Sequence, residues 1–246
     1  MYTFESRVRY SEVSEEGTLA LGSLINYIQD CSTFQSEDMG LGEMGIPYFK
    51  GNKVLWLLKS WQIQIERLPV LAEKISISTW CYGFEDIYGY WNFVINDSKG
   101  NHLVMVNAIF LYYDVDDRHP VKITEEDIRG YGNEPKLDMV YADRTILMPE
   151  HGVHMAAFPV RKSQIDTFGN VNNGHYVRMA QEYIPKDFKA SAFRVEYRKS
   201  AVYGDMIYPV LAESGNEYVI SLNDDAGKAF AVVAFESKVD KKAQTV

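Results

Sequence analysis

Cysteine is nearly missing from this 246-residue chain. Cys31 and Cys81 are its two examples, too few for a disulfide framework or a four-ligand metal site. Long apolar runs are missing too. The longest, such as Val54–Leu58 and Ala229–Phe235, fall far short of the roughly 20 residues that span a bilayer. Residues 1–10 hold no apolar stretch of the kind that opens a secretory signal, so a cytoplasmic protein is expected. Positive charge is scarce: 25 Lys and Arg against 34 Asp and Glu give a net charge of −9. That balance argues against nucleic acid or an anionic membrane as a general partner. The chain has no phosphate-cradling Gly-Lys-Ser/Thr loop, no G-x-S-x-G elbow and no H-E-x-x-H, which removes three common routes to nucleotide, acyl-serine and zinc chemistry. Among the five histidines, His151 and His154 form the one close pair, and none shows ligand spacing with carboxylates. No metal and no organic cofactor are expected.

What the chain does have is a repeat. Arg9, Ser11, Glu12, Val13, Gly17 and Gln29-Asp30 return as Arg161, Ser163, Gln164, Ile165, Gly169 and Gln181-Glu182, each 152 positions on (161 against 9). Ile63, Ile65, Glu73 and Ile75 pair with Val195, Tyr197, Asp205 and Ile207 at 132. Ile95-Asn96-Asp97 and Gly100 pair with Leu222-Asn223-Asp224 and Gly227 at 127. Three blocks in one order with shrinking offsets mean two copies of a domain, the second with shorter connections; solenoids repeat every 20–50 residues or so.

Each copy reads as a lead strand, a loop, a helix and several consecutive strands. Leu24, Tyr27, Ile28, Cys31 and Phe34 follow the three-and-four spacing of one helix face. Tyr176, Ala180 and Tyr183 do the same in the second copy, before Pro185. Trp61, Ile63 and Ile65 alternate with Gln62, Gln64 and Glu66 as in a half-buried strand. Turn-rich Ile95–Gly100 and Leu222–Gly227 read as hairpins. Consecutive strands with one helix per copy give α+β, with domains at 1–125 and 155–246. Residues 126–154 read as a linker, and Thr124–Asp127 resembles a capping box that would open a short helix.

One segment points to chemistry. From Ile165 to Tyr176 the chain runs through Asp166, a turn at Gly169, and Asn170, Val171, Asn172 and Asn173 into a helix. Backbone N–H groups at a helix start can hold a developing oxyanion, and a nearby carboxylate can activate or orient water. Asp166 and the asparagines can equally serve to cap the helix and satisfy the turn.

The blocks Trp61–Pro69, Glu73–Trp80 and Tyr112–Pro120 resemble the first half of fatty acyl-ACP thioesterases, and Asp166, Val171, Asn172, Asn173 and Tyr176 fall in register with that family's D-x-N-x-H-V-N-N-x-x-Y segment. The resemblance runs nearly chain-long and keeps the family's order. It implies a tandem (double) hotdog, two helix-wrapped antiparallel sheets joined into one. It also implies hydrolysis of fatty acyl-acyl carrier protein to free fatty acid in fatty acid biosynthesis. The first unit would shape the acyl site, with Phe34, Trp56 and Trp61 among its aromatics, and the second would carry the chemistry. Acyl carrier protein, an acidic partner, becomes the expected partner and a fatty acyl thioester the substrate. Residues 161–199 hold eight basic and four acidic side chains, and Arg194, Arg198 and Lys199 are the expected docking residues.

The departures fall on the chemistry. Phe168 and Asn170 stand where the family has asparagine and histidine, and Ser200 and Ala201 where plant members have glutamate and cysteine. Three readings follow. Asp166 acts with Asn170 and a helix-start oxyanion hole of Val171, Asn172 and Asn173, which is the favoured one. Alternatively, the site lies in the first copy around Ser14, Thr18, Glu15 and Glu16, or the chain binds acyl carriers without hydrolysing them. An acyl-CoA thioesterase is the enzymatic alternative. His175 reads as a surface histidine and Glu182 as part of a helix-surface salt bridge. Either a monomer or a homodimer suits a chain whose duplication already supplies the pairing of single hotdogs.

Overall fold

The computed structural model describes residues 1–39, 54–132 and 134–238. It divides into two compact units: Met1–Trp61 with Glu66–Ala142, and Asp143–Val246 with Gln62–Ile65. The segment 126–154 is thus shared, its first part packing with unit 1 and its remainder with unit 2.

Unit 1 contains β1 (Tyr2–Arg7), α1 (Leu21–Asp38), β2 (Val54–Ile65) but for its end, Gln62–Ile65, β3 (Lys74–Glu85), β4 (Tyr88–Asp97), β5 (His102–Asp114) and the short β6 (His119–Pro120). Its strands lie in the order β1-β3-β4-β5-β2, with β6 on β5. The β1–β3, β3–β4, β4–β5 and β5–β6 pairs are antiparallel. In α1, Leu24, Tyr27, Ile28 and Cys31 are buried as their spacing requires. Phe34 is not: in the last turns of the helix it stays 43% exposed and meets Phe4 edge-on, ring centroids 5.2 Å apart. Trp61, Ile63 and Ile65 are buried on β2. Trp56 joins Phe84, Trp91, Tyr112 and Tyr131 in an aromatic cluster. The Thr124–Asp127 box forms, with Thr124 N–H and Oγ1–H donating to Asp127 Oδ2. Only turns follow it, however, over residues 125–130.

Unit 2 contains β7 (Val153–His154), β8 (Phe158–Pro159), α2 (Asn173–Gln181), β9 (Ala190–Tyr197), β10 (Met206–Ser214), β11 (Glu217–Asn223) and β12 (Ala229–Ser237). Its order is β9-β12-β11-β10-β7, with β8 on β10, and these pairs are antiparallel. α2 packs on β11 and β12. It stops at Gln181, before Tyr183, because the Tyr183 and Ile184 N–H groups reach back to Ala180 and Gln181 in tightened turns. Ile146 and Met148, from the former linker, pack on Val219, Ala229, Val232 and Ala234. The architecture is α+β and hotdog-type, one helix against one antiparallel sheet, built twice.

The repeat holds down to single hydrogen bonds. Ser14 N–H donates to Thr18 O and Gly17 N–H to Ser14 O, and Asp166 with Asn170 and Gly169 with Asp166 make the same pair. Both turns need a left-handed residue, met by Gly17 (φ 74°) and Gly169 (φ 83°). Val70 N–H donates to the Glu73 carboxylate as Val202 N–H does to that of Asp205. In the hairpin turns, Asp97 Oδ1 accepts from Lys99 and Asn101 as Asp224 Oδ1 accepts from Ala226 and Lys228.

Candidate active site

In unit 2 the turn before α2 is built around Asp166. Its Oδ1 accepts the N–H groups of Phe168 (2.8 Å) and Asn170 (3.2 Å), an Asx turn. Among the described residues its Oδ2 has no partner. The backbone of Asn170 bridges to Val202, and Ile165 bridges to Val171. Asn172 is the N-cap, its Oδ1 accepting Gly174 N–H at 2.9 Å.

The helix-start donors are unequal. Val171 N–H donates to Ala201 O (2.8 Å), Asn172 N–H to Gln164 O (2.9 Å) and His175 N–H to Asn172 O (2.9 Å). Asn173 N–H, at the first helical position, has no acceptor among the described residues, as expected of a helix start. The side-chain amides of Asn170 and Asn173 also have no partner among the described residues, and both residues are half-buried. Four polar groups thus remain uncommitted at one helix start: the Asp166 Oδ2, the two amides and the Asn173 N–H.

Two tyrosines hold this start in place. Tyr176 Oη accepts Ala201 N–H at 2.9 Å, while Ala201 O takes Val171 N–H, which ties α2 to the chain beyond β9. Tyr197 O–H donates to Asn173 O at 3.1 Å. The rings meet edge-on, with centroids 5.8 Å apart. Burial pushes Tyr176 up to about 12, mainly by desolvation, and raises Tyr197 well above the usual phenol value for the same reason. Both stay protonated at any working pH. Sequence reasoning named Tyr176 but missed its partner Tyr197, although the repeat carried the signal: Leu24 stands opposite Tyr176, and Ile65 opposite Tyr197.

The corresponding place in unit 1 differs. The Ser14 and Thr18 hydroxyls satisfy each other at 3.2 Å. Leu19, Ala20 and Leu21 replace Val171, Asn172 and Asn173, and the Ala20 cap has no side-chain bond. Among the described residues, the uncommitted polar groups of the two helix starts are thus those of unit 2.

The remaining expected residues lie elsewhere on unit 2. Arg194 donates to Asp143 O (3.4 Å) and faces Glu217 (3.7 Å). Arg198 donates to Ile146 O (3.1 Å) and Glu196 (3.0 Å), and Lys199 pairs with Asp224. Ser200 is exposed and Ala201 buried. Phe168 is 44% exposed. His175 is half-buried, and Glu182 caps the far end of α2. Among the described residues no group of three or more His, Cys, Asp or Glu gathers to hold a metal ion.

Two units of this fold in one chain, with uncommitted polar groups at the start of α2, define a tandem hotdog-type protein. The comparisons say which. The model of the acyl-ACP thioesterase N-terminal domain matches residues 1–131, and that of the C-terminal domain residues 149–236. The chain belongs to the acyl-ACP thioesterase family. It is 20% identical over 219 residues to an oleoyl-acyl carrier protein thioesterase of Coriandrum sativum, covering 81% of this chain and 59% of that protein. To a palmitoyl-acyl carrier protein thioesterase of Gossypium hirsutum it is 21% identical over 235 residues, 88% and 56% of the two. It therefore spans little more than half the length of these curated relatives. An acyl-ACP thioesterase structure from Bacteroides thetaiotaomicron superposes with a TM-score of 0.84 at 20% identity, over 95% of this chain and 96% of that one. The 12:0-ACP thioesterase of Umbellularia californica gives 0.81 at 17%, over 95% and 96%. At these identities the structural likeness shows the fold.

Proposed function

We propose that this chain hydrolyses fatty acyl-acyl carrier protein to free fatty acid and carrier in the cytoplasm, as a step of fatty acid biosynthesis, and that the reaction occurs at the start of α2. The observation that carries this reading is the cluster of uncommitted polar groups there, in a chain of this family, with no such cluster at the matching place in unit 1. Asp166 Oδ2 accepts a proton from water as the water oxygen attacks the thioester carbon. Charge developing on the carbonyl oxygen is met by Asn173 N–H and the amide of Asn170. The C–S bond then breaks and the thiolate takes up the proton. Two buried free thiols, Cys31 and Cys81, are in keeping with a reducing compartment.

Asp166→Asn is a clean test. Asparagine keeps an oxygen for the Phe168 and Asn170 N–H groups, so the turn survives while the base is lost. Thiol release from a panel of acyl-carrier and acyl-CoA thioesters should fall by about 100-fold or more, in line with loss of general-base catalysis. Undiminished release would place the chemistry elsewhere. Binding without release by the wild type, at every chain length, would leave a carrier-binding protein. Faster turnover of CoA esters would make the carrier CoA.

A further inference from the structure

The two copies present the same turn with different charge. In unit 1, Arg9 is neutralised by Glu12 at 3.0 Å. In unit 2, Gln164 stands at that position and its amide oxygen takes the Arg161 backbone N–H at 2.7 Å. The Arg161 guanidinium has no carboxylate partner among the described residues. The next residue is Tyr10 in unit 1 and Lys162 in unit 2, whose ammonium lies over the ring of Tyr203 at 5.4 Å. Where unit 1 has Glu15 and Glu16, unit 2 has Thr167 and Phe168. Counted over 9–17 with 67–73, unit 1 has two cations and four carboxylates; over 161–169 with 199–205, unit 2 has three cations, of which Lys199 is held by Asp224, and two carboxylates. Both carboxylates of unit 2 are turned inward to backbone N–H groups, Asp166 to Phe168 and Asn170, Asp205 to Val202.

The same face is apolar at its centre. Phe168, Val202 and Tyr203 are 44%, 45% and 58% exposed. The backbone of Val202 bridges to that of Asn170, which sets this apolar segment beside the candidate site. On a chain of net charge −9, an acidic partner is repelled by most of the surface and admitted where the sign reverses. The cations of β9 and the residues after it are less available, because Arg194, Arg198 and Lys199 already hold intramolecular partners.

We infer that the face formed by Arg161 and Lys162 around Phe168, Val202 and Tyr203 is where the acidic acyl carrier protein docks on unit 2. This rests on the function proposed above. Docking there brings a carrier-borne thioester to the mouth lined by Asp166, Asn170 and Asn173. The unit 1 turn, acidic by the same count, would repel the same partner.

The test separates docking from chemistry. Direct binding of a carrier loaded with a non-hydrolysable acyl group is measured on wild type, on Arg161→Glu with Lys162→Glu, on Tyr203→Ser, and on an Arg9→Glu control in unit 1. Turnover of acyl-pantetheine, which has no carrier protein, is followed in parallel. The unit 2 charge reversal should weaken carrier binding at least tenfold and flatten its dependence on salt. Tyr203→Ser should weaken it severalfold, the unit 1 control should bind as wild type, and acyl-pantetheine turnover by the charge-reversed variant should be unchanged. Carrier binding unaltered in both unit 2 variants overturns the inference, as does an equal loss with acyl-pantetheine. Should no thioester be turned over while the charge reversal still abolishes carrier binding, the docking face stands and the hydrolase reading falls.

Discussion

The phenol of Tyr197, on β9, donates to the carbonyl of Asn173, the first residue of α2, at 3.1 Å. It fixes the residue whose own N–H is one of the uncommitted donors of the proposed site. Tyr197→Phe removes the hydroxyl and keeps the ring against Tyr176. With the donor misaimed, kcat on acyl-carrier substrate should fall about tenfold while KM stays near the wild-type value. Steady-state kinetics beside a thermal melt distinguish this from a structural role, in which stability would drop and kcat of the folded fraction would not.

A second expectation concerns the left-handed position that both units share after the loop. Unit 2 has Gly204 there (φ 90°), whereas unit 1 has Ala72 (φ 65°). A Cβ in this region costs on the order of 1 kcal/mol. Ala72→Gly should therefore stabilise the protein by about 1 kcal/mol, and Gly204→Ala should destabilise it by a similar amount. Melting temperatures would move by about 2–4 °C in opposite directions.

Much of this was legible in the chain. The offsets of 152, 132 and 127 mark turns that match bond for bond, because Gly17 and Gly169, or Asp97 and Asp224, are dictated by local backbone geometry. Local geometry is what sequence spacing encodes. Partnerships across long separations were not legible. That Tyr197 donates to the carbonyl of Asn173, and that Glu196 takes the N–H of Ile146, only the folded chain shows. Phe34 fits the helix period and still stays partly exposed, since periodicity gives a face and not what covers it. The asparagines suit a site or caps by sequence; in the fold Asn172 caps, while the amides of Asn170 and Asn173 have no partner among the described residues.

Glu196 anchors the stretch read as a linker. Its buried Oε2 accepts the N–H of Ile146 and a guanidinium N–H of Arg198, both at 3.0 Å. Hydrogen bonds to a charged group contribute about 1.5–3 kcal/mol each, so Glu196→Ala should cost about 3 kcal/mol and loosen residues 143–148. Glu196→Gln, which still offers an oxygen, should cost less. Glu217→Ala, at the half-exposed 3.7 Å pair with Arg194, should change stability by less than about 1 kcal/mol. Urea denaturation gives the energies, and limited proteolysis across 143–148 reports the loosening.

His175 makes stability depend on pH. Burial, with a smaller contribution from the Arg178 charge, holds its imidazole below the ordinary value of 6.5. The unfolded chain therefore binds a proton more readily than the folded one just below pH 6.5, and stability must rise with pH there. The contribution is present in full above pH 6.5. It is lost as pH falls from 6.5 through the folded-state value, below which both states carry the charge. His175→Gln, which does not titrate, should therefore lose less stability than the wild type between pH 7.5 and pH 5.5. Parallel denaturation curves at the two pH values measure the difference. Identical slopes for the two proteins would mean that the ring stays as open to protonation in the fold as in the unfolded chain.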